Sequence, residues 1–205
     1  TRALGKSIAD DEYLRIYETA NKYDLIIWLH PIFDDRKPDN NIVFSWEYEL
    51  SLAMMQIVEK GIFKKYPNLK IIVQHAGAMI PFFAGRIKYI LREEKENDFK
   101  KFYVDTAILG NHKALDLAMY YFGTSHLIFG TDAPLGIMPA GATKEILNAI
   151  DSMNISKEEK EKILKNNITN MINRRNKNEK KNYCPNCSCY YYCSSRNINL
   201  YVYGK

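Results

Sequence analysis

Four short apolar runs constrain this chain more than anything else in it, because each closes on a titratable side chain. "LIIWLHP" ends at His30, "KIIVQHAG" at His75, "KFYVDTA" at Asp105 and "LIFGTDAPLG" at Asp132. Continuous β-prone runs of this length are what strands look like when both faces are buried, as in the parallel sheets of α/β proteins. A titratable residue at the end of such a run stands at the carboxyl end of its strand. Barrels and open sheets alike place their chemistry on that rim.

Between the runs lie segments with helical spacing. Trp46, Leu50, Met54 and Ile57 recur at four, four and three, with Ser45 as N-cap, Glu47 and Glu49 in the first turn and Gly61 as the C′ residue. "PFFAGRIKYILREE" opens with Pro81 at a helix-start position, "HKALDLAMYYF" and "TKEILNAIDSM" each present one apolar side, and Ser156 with Glu159 forms a capping box ahead of Leu164, Ile168 and Met171. "DDEYLRIYETANKY" supplies one further helix before the first strand, and no strand is read before it. A helix between every pair of strands implies right-handed βαβ units and a parallel sheet. Two architectures fit that order: an open doubly wound sheet, or about half of a (β/α)8 barrel, which in full needs about 250 residues.

At 205 residues, 46% hydrophobic and 26% charged, the composition is that of one soluble globular domain. No run approaches the ~18 apolar residues of a membrane span and no signal peptide is visible, so a cytoplasmic protein without membrane contact is expected. The net charge of +5 is misleading, because it sits at one end. After Asn173 the chain has seven Lys or Arg against Glu179 alone, a local +6 that leaves residues 1–173 at −1. The body therefore has no basic excess to recruit nucleic acid. Cys184, Cys187, Cys189 and Cys193 and six of the fifteen tyrosines also lie past residue 176. Residues 1–175 thus read as the domain, and 176–205 as a disordered or non-homologous tail. The C-x2-C-x-C-x3-C spacing there is too tight for a common zinc ribbon.

His30, His75 and Asp132 are the candidate site. Imidazole nitrogen and carboxylate oxygen are ligands for a catalytic Zn2+ or similar ion, which would acidify a water or polarise a substrate oxygen. Each residue alone has a structural reading, as a hydrogen-bonded strand end or a helix cap; their shared rim favours function. Asp105 fits the same strand-end pattern, but its "VDT" context favours a cap for the turn after its strand over a place in the site. His126 starts a strand and so faces the opposite rim, and His112 starts a helix; Trp46 reads as helix core, with a pocket mouth as its other placing.

The order and spacing of "HP" after an apolar strand, "IVEKGIFKKYPNLKIIVQHAGAMIPFFAGRI", "FYVDTA" and "LIFGTDAPLG" resemble the amidohydrolase-related family, also called amidohydrolase 2. That family includes aminocarboxymuconate-semialdehyde and resorcylate-type decarboxylases. The resemblance runs over roughly residues 1–173 and implies an α/β fold: a partial (β/α)8 TIM barrel of the metal-dependent hydrolase type, with strands five to eight present. It implies His30 and Asp132 as ligands of a divalent metal, Zn2+ first and Mn2+ second. His75 and Asp132 become the catalytic residues, His75 orienting or deprotonating water beside the metal and Asp132 relaying a proton. The implied activity is a decarboxylase or hydrolase for a small carboxylated substrate. The family also draws a His-x-His or Glu-x-His pair from its first strand, and this sequence has no histidine before His30. The expectation is therefore an inactive fragment with two open sheet edges and an uncovered apolar face. The alternative is a non-catalytic remnant or assembly partner, completed by a homo-oligomer or another chain.

Overall fold

The computed structural model of the chain describes residues 2–3, 6–32, 41–134 and 142–173. The expected Cys- and Tyr-rich tail lies outside the described residues. β1 (Arg2–Ala3) and β2 (Lys6–Ser7) form a short antiparallel pair, a feature the sequence did not announce. A 3-10 turn at Asp11–Tyr13 leads into α1 (Leu14–Lys22). The remaining strands, β3 (Ile26–Leu29), β4 (Lys70–Val73), β5 (Tyr103–Asp105) and β6 (Leu127–Ile128), make one parallel sheet in the order β3-β4-β5-β6. Each strand joins beside the one before it with no reversal of direction across the sheet. A doubly wound sheet needs such a reversal at its switch point, so the order is that of a barrel wall.

The strand side chains sort by parity, as a period of two requires. Ile27, Leu29, Ile71, Val73, Val104 and Leu127 point into the main core with the helices, while Ile72 and Ile128 fall on the other face beside Ile26, Trp28 and Tyr103. That second face was expected to lie uncovered. Instead Met171 and Ile168 pack on it, and Ile72 and Ile128 are fully buried. Burying side chains of this size contributes about 1.5–3 kcal/mol each.

The helices lie where their apolar spacing put them. α2 (Ser45–Glu59) buries Leu50, Ala53, Met54, Ile57 and Val58 and ends at Gly61, whose φ of 68° suits a residue without Cβ. Its start differs from the expectation. Asn41 Oδ1 accepts from the backbone N–H of Val43 at 3.1 Å and of Phe44 at 2.8 Å, so the chain is already turning and Ser45 is the first helical residue, not the cap. α3 (Ile62–Lys65) follows, then α4 (Gln74–Gly77), a tight turn after β4. α5 (Ala84–Phe99) begins three residues past Pro81, because residues 79–83 are first taken up by successive turns in which Phe83 N–H bonds both Met79 and Ile80 carbonyls. α6 (His112–Phe122) is capped by Asn111, α7 is Thr143–Ser152, and α8 (Lys157–Glu161) has the Ser156/Glu159 capping box and continues through a π turn at Lys162–Asn166. No described helix is long and apolar enough to cross a membrane.

Candidate active site

His30 directly follows β3, His75 lies in the turn after β4, and Asp132 lies four residues past β6, all at the carboxyl ends of the strands. One nitrogen or oxygen from each falls within 4.8 Å of the others. Nε2 of His30 is 3.6 Å from Oδ1 of Asp132, and the His30 and His75 rings meet edge to face with centroids 6.2 Å apart. β3 and β6 are three strand spacings apart, about 14 Å in a flat sheet. A sheet that curls as a barrel wall does, together with the four-residue step from β6 to Asp132, brings His30 and Asp132 this close.

The backbone that carries His75 is strained. His75 (φ 59°), Ala76 (φ 55°), Gly77 (φ 78°) and Ala78 (φ 55°) are four successive residues in the left-handed half of conformational space. For a residue with a Cβ this costs about 1–2 kcal/mol. Four neighbours hold the turn. Asp105 Oδ1 accepts from His75 N–H at 2.9 Å and from Ala107 N–H at 3.1 Å. The Ser51 hydroxyl on α2 accepts from Met79 N–H at 3.0 Å. Gly77 sits so close to Phe122 and Val104 that a Cβ there would come within 2.6–2.9 Å of their side chains. Asp105 is thus a structural brace, as its sequence context suggested, and burial pushes its carboxyl up to about 6, even though His75 and the backbone N–H groups pull the other way.

The electrostatics of the three converging groups differ. Interaction with the His30 ring, helped by His75, holds the Asp132 carboxyl below the usual carboxylate range against the effect of burial. Burial disfavours the charged form of His75, but Glu47, Asp105 and Asp132 together outweigh it and raise its pKa. Nδ1 of His75 lies 2.6 Å from Oε1 of Glu47, in the first turn of α2. Sequence reading placed Glu47 only as an acid favoured by the helix dipole. Nothing in the string tied it to His75, twenty-eight residues away in a different element. Trp46, beside it, is half-buried and packs edge-on to His30 with centroids 5.6 Å apart, so it lines the cleft instead of the core.

The other histidines stand apart from this cleft. His126 stacks on Tyr103 at 4.4 Å and its Nδ1 contacts the Phe102 carbonyl at 2.8 Å, while His112 opens α6. The four tail cysteines lie outside the described residues.

The profile of the amidohydrolase family matches residues 3–173. The 6-methylsalicylic acid decarboxylase of Penicillium expansum is 25% identical over 166 residues, which cover 72% of this chain and 50% of that protein. The gamma-resorcylate decarboxylase of Polaromonas sp. is 25% identical over 184 residues, covering 78% and 54%. The chain spans about half the length of these curated relatives. Among solved structures, 5-carboxyvanillate decarboxylase from Novosphingobium aromaticivorans, complexed with manganese and 4-hydroxy-3-methoxy-5-nitrobenzoic acid, superposes with a TM-score of 0.72 at 20% identity, over 84% of this chain and 55% of that one. The likeness identifies the curled sheet and its helices as part of an amidohydrolase-type (β/α)8 barrel.

Proposed function

The chain belongs to the amidohydrolase family, and from that premise we propose that the cleft at His30, His75 and Asp132 is part of the site of a metal-dependent decarboxylase for a small carboxylated aromatic substrate. The observation that carries this is the convergence of two imidazoles and a carboxylate on one rim. The decarboxylases among the relatives favour carbon dioxide release over hydrolysis at the same residues.

The donor set fits a divalent ion. Bonds of about 2.0–2.2 Å put neighbouring ligands around zinc roughly 3.4 Å apart, and His30 Nε2 and Asp132 Oδ1 stand at 3.6 Å. These two would hold the ion, with His75 next to them in the same cleft. Imidazole with carboxylate suits zinc first and manganese second. When bound, the ion supplies positive charge for the substrate's carboxylate and neighbouring oxygen.

Decarboxylation breaks the bond between the ring carbon and its carboxylate, releases CO2 and leaves that carbon needing one proton. Asp132 is the group assigned to pass that proton on, and His75 orients the substrate or a water. Trp46 shields the His30 side of the cleft from solvent, where charge interactions gain strength as water is excluded.

Titration of the chain with Zn2+ and with Mn2+, followed by a CO2-release assay on a panel of hydroxybenzoic acids, tests this. Metal binding weakened at least tenfold is expected in His30→Ala and in Asp132→Ala. Binding that both variants retain would remove the proposed centre. A second reading, an assembly partner whose barrel another chain completes, is favoured by the outer edge of β3, which no described strand pairs. Metal binding without CO2 release, together with a stable dimer in light scattering, would move the balance to it.

A further inference from the structure

We infer that Glu47 is a positioning residue for His75: it holds the ring through Nδ1, so that Nε2 presents its lone pair to His30 and Asp132. The inference deepens the proposed site and rests on it only for its catalytic consequence. A neutral imidazole has one N–H and one lone pair, and the partner of one nitrogen fixes the role of the other. A carboxylate can only accept, and Glu47 Oε1 lies 2.6 Å from Nδ1. The proton therefore belongs on Nδ1, and the nitrogen left for the cleft is Nε2.

The placing of Glu47 is determined by more than one contact. Glu47 and Ser51 are one turn apart on α2, so they share a helix face. Ser51 donates to the Glu47 carbonyl at 2.8 Å and accepts from Met79 N–H at 3.0 Å. One face of α2 thus grips the strained turn at both ends, at the His75 ring and at the Met79 backbone. The 2.6 Å approach of Nδ1 to Oε1 is a close polar contact whose N–H direction falls short of a well-aligned hydrogen bond, and neither Nδ1 nor the buried Oε2 has another hydrogen-bond partner among the described residues, so each group is the polar neighbour that accounts for the other at this depth. With the backbone at His75 held by Asp105, the ring's remaining freedom is rotation about its side-chain bonds, and Glu47 is the group that removes it.

Long-range 1H–15N spectra of the full chain, recorded without metal at alkaline pH where imidazoles are neutral, report the tautomer of each ring. His75 is assigned by its loss in His75→Gln. The wild-type ring is expected to hold its proton on Nδ1. Glu47→Met keeps the length of the side chain but has no acceptor, and should move the proton to Nε2 in most molecules. Glu47→Gln, whose amide oxygen can accept from Nδ1–H, should restore the wild-type pattern. A wild-type ring protonated on Nε2 overturns the inference even if Glu47→Met does not fold. A folded Glu47→Met that keeps its proton on Nδ1 overturns it as well. Because the spectra need neither metal nor substrate, failure of the proposed metal centre leaves this outcome separately readable.

Discussion

Asp105 is 1% exposed and receives backbone N–H groups from both His75 and Ala107, so its charge state bears on the strained turn. Its folded-state pKa of about 6 lies above the ordinary 3.8. Between those values the folded chain keeps a proton that the unfolded chain releases, so this residue makes stability fall as pH rises from about 4 to about 6. The full shift corresponds to roughly 3 kcal/mol. Asp105→Asn cannot ionise but still offers a carbonyl oxygen to both N–H groups. Its urea midpoint should change less across this window than that of the wild type, and an identical slope in the two proteins would refute the assignment. Gly77 makes a second case. At φ 78°, with Phe122 and Val104 in the path of a Cβ, Gly77→Ala combines left-handed strain with overpacking. A loss of about 2–5 kcal/mol in chemical denaturation is expected.

At the scale of elements, the segment after α8 closes an edge that four strands alone would leave open. Within its π turn over Lys162–Asn166 the Ile163 carbonyl accepts from Phe129 N–H, just past β6, at 3.0 Å. Asn167 Nδ2 then donates to the Leu127 carbonyl at 2.7 Å and the Thr124 carbonyl at 2.8 Å. Asn167→Ala leaves two part-buried carbonyls without that donor and should cost about 1–3 kcal/mol, read as a lower denaturation midpoint with α8 still formed. The capping box at Ser156 was legible because it is a local pattern of two residues three apart. The π turn was not, since its Ile163 carbonyl meets Phe129 N–H more than thirty residues away. The antiparallel pair β1–β2 leaves no mark in the sequence for a related reason: two residues per strand are too few to show alternation.

Over the whole molecule, the curl of the sheet makes the cleft, and the cleft is where metal should couple to stability. Zn2+ or Mn2+ at about a hundred times its dissociation constant adds about 2.7 kcal/mol by linkage. That corresponds to a rise of about 5–10 °C in the thermal midpoint; a chelator should reverse it, and His30→Ala should abolish it. By itself the sequence determined the four strands, the helices between them, their parallel direction and the rim on which His30, His75 and Asp132 stand. Those features follow from apolar runs and helical periods, which are properties of neighbouring residues. Tertiary structure bore out the barrel wall that the family resemblance implied and decided the rest: the helix that buries Ile72 and Ile128, and the meeting of Glu47 with His75. Each depends on how a sheet curls and how a helix is laid against it, which is set by packing between residues tens of positions apart and leaves no periodic mark in the string.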